Sequence, residues 1–179
     1  MAQEVARVAR RLEAAKETQV LDLSKCELMK IPDAVYFMLK DSVVNKCDLS
    51  DNIIKRIPSK FCTKFQALTE LQLQGNSLSS LPEEIRNMEE LKVLDISNNK
   101  FESLPVFYEC PKLSTITAKE NKITELDFER LRKMASLREL DLQDNPLPEE
   151  LQQQLKDIDM FTVHIGASDP IGKELEEVE

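Results

Sequence analysis

Leu68–Pro82 reads LTELQLQGNSLSSLP, with Leu68, Leu71, Leu73, Leu78 and Leu81 on the grid L-x-x-L-x-L-x-x-N-x-L-x-x-L-P. In Leu71-Gln72-Leu73 a polar residue separates two leucines. The leucines therefore share one side of a short strand, and Gln72 points the other way. Asn76 follows three residues on, where the chain leaves the strand and loses its ladder partners. Its side-chain amide is expected to bond the backbone of the turn and of the next coil. Leu78 and Leu81 point back inward, and Pro82 fixes φ and removes a donor, as suits the start of a return segment. A single coil of this kind cannot bury its own leucines, so copies must stack, with caps over both ends.

The grid falls again on LKVLDISNNKFESLP (Leu91–Pro105) and LRELDLQDNPL (Leu137–Leu147), and more loosely on three further stretches. Followed through the asparagine slot, the copies are marked by Cys26, Asn52, Asn76, Asn99, Asn121 and Asn145, which lie 22 to 26 residues apart. That narrow spread leaves no room for an inserted second domain. Cys47 takes an inward leucine slot in the second copy, and Asp127 replaces the proline in the fifth. Return segments carry apolar residues at helix-like spacing, such as Phe61 with Phe65, Ile85 with Met88, and Phe128 with Leu131 and Met134.

The ends read differently. Residues 1–17 predict an amphipathic capping helix, with Val5, Val8, Ala9, Leu12 and Ala15 or Lys16 on the covering face and Arg7, Arg10, Arg11 and Glu13 opposite. The cap reading outweighs a partner-binding helix, because an uncapped end would leave leucines and strand groups in water. Residues 148–165 predict a C-terminal capping helix, with Pro148 in its first turn, and an edge strand in which Phe161, Val163 and Ile165 alternate with Thr162 and His164. Residues 166–179 read as a mobile acidic tail. The expected architecture is an α/β solenoid, a curved horseshoe of about six repeats spanning residues 18–147. Its parallel sheet lies on the concave face and short helices and turns on the convex face.

Bulk composition narrows the function. The net charge of −9, with 33 Asp and Glu against 24 Lys and Arg, speaks against nucleic acid or an anionic membrane as the main partner. No apolar run approaches the about 18 residues of a membrane span, and the charged N-terminus does not resemble a secretory signal. The four cysteines show no CxxC pairing, and with the lone His164 they make no zinc pattern; they read as buried or incidental thiols in a reducing compartment. There is no Gly-rich phosphate loop, HExxH or GxSxG. No catalytic residue, cofactor or metal ligand is therefore nominated, and the expected protein is a cytoplasmic, or also nuclear, monomer that is not secreted.

The repeats with LPxxI-type turns, as in Leu81-Pro82-Glu83-Glu84-Ile85, resemble the intracellular leucine-rich repeat family. EVARVARRLEAA, LDLSKCELMKIPDAVYFML and SKFCTKFQALTELQLQGNSLSSLPEEI extend that resemblance over nearly the whole chain. It implies a horseshoe fold, adaptor or regulatory roles and no assigned enzymatic activity. Acidic nuclear members of similar size bind histones or inhibit a phosphatase, but usually carry a longer acidic run after the repeats.

Binding is expected on the outward strand face. Its candidate residues are Asp22, Asp48, Asp51, Glu70, Gln72, Asp95, Glu120, Glu139, Asp141 and Asp144. Nine of these are carboxylates, set against three lysines and no aromatic. Adjacent strands lie about 4.8 Å apart, so Asp22 and Asp48 would be like-charged neighbours, tolerated or used. One reading is an acidic groove for a partner protein's basic segment; the other is a solvated face kept polar for solubility. A divalent-ion site is disfavoured, because flat strands rarely enclose a cation. Val35, Tyr36, Phe37, Met38 and Leu39 cannot all face inward, so Tyr36 or Phe37 is expected at the surface, with Tyr36 a candidate contact point.

Overall fold

Seven three-residue strands form one parallel sheet in which each strand pairs with the next in sequence. In this computed structural model, which describes residues 2–105 and 107–166, they are β1 (Val20–Asp22), β2 (Lys46–Asp48), β3 (Glu70–Gln72), β4 (Val93–Asp95), β5 (Thr115–Thr117), β6 (Glu139–Asp141) and β7 (Thr162–His164). The register never slips: Leu21, Cys47, Leu71, Leu94, Ile116, Leu140 and Val163 stand side by side. The first six of these are buried, at 0 to 1% exposure. Leu73 and Ile96, one period further along, are equally sealed. Two-residue alternation copied from coil to coil has produced one continuous leucine core, and the chain is the expected solenoid.

The return segments lie on the other side of that core. They contain α2 (Asp33–Met38), α3 (Ser59–Lys64), 3-10 helices at Glu83–Asn87 and Phe107–Glu109, α4 (Phe128–Lys133) and α5 (Glu149–Lys156). Val35, Phe61, Ile85, Phe107, Leu131 and Leu155 point inward from them and are buried. Leu131 and Met134 are buried and Phe128, half-buried, packs against the same core, so the expected inward stripe is present. Pro32, Pro58, Pro82 and Pro148 each occupy the cap position just before a helix, with extended backbone. Pro148 thus sits outside its helix rather than in the first turn. Where the proline is missing, the Asp127 carboxylate accepts from the Arg130 N–H at 3.0 Å and caps α4. One helix-start signal has replaced another.

The asparagine slot ties the coils together, in the direction opposite to the one expected. Asn76 Nδ2 donates to the carbonyls of Leu73 (3.0 Å) in its own coil and Leu49 (2.9 Å) in the preceding one, while its Oδ1 accepts from Ile54 N. Asn52, Asn99, Asn121 and Asn145 repeat the pattern. The next coil is already reached by the backbone: Leu49 N donates to Gln72 O, and Leu73 N to Asp95 O. The side-chain amide therefore satisfies the groups that face backwards.

Cys26 holds that slot in the first coil, where no earlier coil exists to bond. An arginine supplies the missing donor. Helix α1 (Ala2–Thr18) lays Leu12 and Ala15 on the core at 0% exposure. Arg11 Nη1 donates to Ser24 O (2.7 Å), Asp22 O (3.2 Å) and the Asp22 carboxylate (3.0 Å), and Arg7 Nη2 to Lys25 O (2.9 Å). Arg7 and Arg11 thus reach across to the first coil instead of standing opposite the covering face. Val5, expected on that face, is 69% exposed. At the other end, β7 extends the sheet parallel to β6, with Phe161 buried and Val163 and Ile165 partly so. The acidic tail, beyond Gly166, lies outside the described residues.

The strand face as candidate binding site

Two outward columns flank the buried one. The first runs Val20, Lys46, Glu70, Val93, Thr115, Glu139, Thr162; the second runs Asp22, Asp48, Gln72, Asp95, Thr117, Asp141, His164. Asp22 and Asp48 are direct neighbours, as expected. Asp22, Asp48, Asp95 and Asp141 share a local task. Each Oδ1 accepts the backbone N–H two residues on, from Ser24 (3.0 Å), Ser50 (2.8 Å), Ser97 (2.8 Å) and Gln143 (3.1 Å). Aspartate closes the strand end with an Asx turn.

A third column has a different origin. Lys25, Asp51, Gly75, Asn98, Glu120 and Asp144, the residues just before the asparagine slot, all adopt positive φ, between 49° and 68°. That left-handed conformation favours Gly, Asn and Asp, which fill four of the six places. The N–H groups of the first five donate to the following coil, as Asp51 N does to Gln74 O and Gly75 N to Ser97 O. Gly75 has a second constraint, because a Cβ there would lie 2.5 Å from Asp51 Oδ1. Backbone demands thus account for much of the acidity of this face.

Charge pairing then divides the carboxylates. Lys46 Nζ lies 2.9 Å from Glu70, and this bond, with one from Gln72, holds the Glu70 carboxyl below its ordinary value. Burial works to raise the Asp22 carboxyl, but the Ser24 hydrogen bonds and the Arg11 charge outweigh it and keep it low. Lys119 pairs with Asp141 at 3.1 Å and Lys25 with Asp51 at 3.9 Å, while His164 Nε2 lies 3.1 Å from Glu139, an ion pair only when the ring is protonated. Asp48, Asp95, Glu120 and Asp144 form no ion pair among the described residues.

Tyr36 is not on this face, nor is it the exposed aromatic of its segment. It lies on α2, half-buried, stacked on Phe65 (centroids 6.3 Å apart) and covered by Lys60 Nζ at 4.1 Å. Burial pushes its hydroxyl far up, and the hydroxyl oxygen has no hydrogen-bond partner. Phe37 is the residue left out, 83% exposed. A six-residue helix seated on Val35 and Leu39 turns position 37 to solvent, and sequence spacing alone left the two aromatics undecided.

The fold defines a leucine-rich repeat solenoid, a class that serves protein–protein interaction through its exposed face. A leucine rich repeat family profile matches residues 43–101 and 91–147, and the chain belongs to that family. It is 38% identical over 96 residues to human (Homo sapiens) leucine-rich repeat-containing protein 20, covering 51% of this chain and 52% of that protein. It is 37% identical over 87 residues to the volume-regulated anion channel subunit LRRC8D of Rattus norvegicus, covering 48% and 10%. The chain thus spans about half the length of the protein 20 relatives it matches. The solved leucine-rich repeat domain of APL1B superposes with a TM-score of 0.64 at 25% identity, over 78% of this chain and 42% of that one.

Proposed function

We propose that this chain is a non-enzymatic protein-binding module that takes a basic segment of a partner along its strand face. The observation that carries the reading is the set Asp48, Asp95, Glu120 and Asp144, outward carboxylates without an internal cation among the described residues. The face carries no aromatic, so recognition rests on charge and backbone polarity. It is therefore fast and salt-sensitive. The four unpaired, buried cysteines are in keeping with a reducing compartment, cytoplasm or nucleus.

The test must remove charge without removing the Asx turns. Asp48→Asn and Asp95→Asn keep an Oδ1 acceptor for Ser50 and Ser97, and Glu120→Gln completes a neutralised variant. A fluorescent lysine-rich peptide should bind the native chain with an affinity that falls steeply with salt, and should bind the variant roughly tenfold more weakly. Equal binding to both, with melting curves unchanged, refutes the strand-face site.

A further inference from the structure

Charge and exposed apolar surface are spread unevenly along the chain. Residues 65–179 carry 12 Lys and Arg against 24 Asp and Glu, whereas residues 1–64 carry 12 against 9. Among the described residues, seven large apolar side chains are exposed, and six of them lie before residue 54. Val5 (69%), Met29 (70%) and Phe37 (83%) are the most open of these. Most of the molecule therefore repels a second copy of itself. The cap and first coils are the part where that repulsion is absent and exposed apolar surface gathers.

A knob and a hole lie side by side there. Between α1 and α2 runs a cleft of about 250 Å³ whose walls include Val5, Val8, Leu12, Leu28, Ala34 and Met38, and none of its lining residues is charged. Arg7 and Arg11 are spent on Lys25 O, Ser24 O and Asp22, and helical spacing puts Arg10 on the other side of α1. The cleft thus suits an apolar side chain. An apolar cavity of roughly 150 Å³ holds a benzene ring, so a phenylalanine fits. Phe37 precedes Met38 and stands one helical turn from Ala34, both in the cleft wall. At 83% exposure it does not fill its own cleft.

We propose that this surface is a two-fold interface between two copies of the chain, the Phe37 ring of each entering the cleft of the other. A two-fold contact needs a patch that complements itself. A projecting aromatic beside an apolar cleft meets that need, and aromatics seated in pockets are the anchors that carry most of the energy of such contacts. Val5, in the cleft wall, and Met29, next to wall residue Leu28, are the exposed apolar residues that then lose their water. The charge distribution selects the same pairing, because joining the copies through their N-terminal thirds keeps the acidic later coils apart. Asp95, Glu120 and Asp144, on those later coils, stay outside the interface. The monomer expected from the sequence gives way to a reversible dimer.

Sedimentation equilibrium of the full chain, from roughly 1 to 200 µM, measures the association. The expected result is a monomer–dimer equilibrium. Phe37→Ser and Val5→Ser, both at exposed positions, should each weaken it roughly tenfold or more, with the melting curves of dilute samples unchanged. Met160→Ser, exposed at the far end of the solenoid, should leave it as it is. Salt screens the repulsion between the acidic coils, so the dimer should tighten as salt rises. The lysine-rich peptide on the strand face is released by the same change, so failure of one site is distinguishable from failure of the other. A monomer throughout the range, association unchanged in either Phe37→Ser or Val5→Ser, an equal loss in Met160→Ser, or a dimer that salt dissociates overturns the proposal.

Discussion

Asn52 and Asn99 occupy the same slot in different coils, and truncating them to alanine should not cost the same. Asn99 Oδ1 is the partner of Leu78 N, but the carbonyls it serves have second donors. Leu73 O also accepts from Asn76, and Ile96 O from Asn121. Asn99→Ala therefore orphans one buried N–H. Asn52 Oδ1 accepts from both Cys26 N (3.0 Å) and Leu28 N (2.9 Å), and its Nδ2 is the donor to Leu23 O (2.9 Å). Cys26, in the slot below, cannot supply an amide. Asn52→Ala therefore orphans two buried groups and one part-buried group among the described residues.

At about 1–3 kcal/mol per orphaned buried group, Asn99→Ala should cost about 1–3 kcal/mol and Asn52→Ala about 2–6 kcal/mol from its two buried groups, with the part-buried Leu28 N–H adding to that. The second figure rivals the whole stability of many domains, about 5–15 kcal/mol. Urea unfolding of both variants gives the comparison. Native-state hydrogen exchange at Cys26 and Leu28 shows whether α1 and the first coil open ahead of the rest. Losses equal within about 0.5 kcal/mol would refute the idea that the ladder's first rung lacks a second donor.

Gly75→Ala should cost about 1–2 kcal/mol, since it adds a Cβ at φ 68° against Asp51, while Glu120→Gly, at φ 50°, should gain about 1 kcal/mol; thermal melts read both. Burial pushes the Cys62 and Cys110 thiols up to about 12 and Cys47 higher still. At mildly alkaline pH a thiol reagent should therefore label these three no faster than the chain unfolds, and rapid native labelling would contradict the packing. Glu70 titrates lower folded than unfolded, so its contribution is complete above its ordinary value of 4.5 and is lost as pH falls below it. Lys46→Met should flatten that acid limb of the urea midpoint against pH.

The repeat was legible because its signals are periodic. Leucines two apart in Leu71-Gln72-Leu73 cannot face water on one side, and five further copies in register leave a single way to stack them. The asparagine slot was visible, but its direction was not. A side-chain amide at a coil edge has a neighbour on both sides, and only the backbone's own choice of the following coil leaves the preceding one to Asn. Arg7 and Arg11 were misplaced by treating α1 as an isolated amphipathic helix. An arginine beside the apolar stripe has the reach to serve carbonyls beyond it. Cys26 in an asparagine slot was the available hint that the first coil needed a donor from elsewhere. The positive-φ column was written in Asp51, Gly75, Asn98 and Asp144, residues that tolerate the left-handed region for different reasons, and Lys25 and Glu120 obscured it.

That aspartates on the strand face complete the backbone is compatible with the recognition proposed for them. It preorganises them. At Asp141 the two oxygens divide the work: Oδ1 accepts from Gln143 N, and Oδ2 meets Lys119 Nζ at 3.1 Å. Asp48 and Asp95 have the same Oδ1 anchor and, among the described residues, no lysine on Oδ2. Each holds its carboxylate in a fixed rotamer, so an incoming cation does not have to order it. The internal Lys119–Asp141 pair is thus a template for an external one. Asp48 and Asp95 stand two strand spacings apart, roughly 10 Å, which a polyproline II segment, with about 3.1 Å rise per residue and three residues per turn, spans between side chains i and i+3 on one face. A segment with lysines at i and i+3, laid across the strands, should therefore bind more tightly than one with the same lysines at i and i+1. Indifference to that spacing would mean that the face acts as a diffuse negative field and not as an ordered row of acceptors.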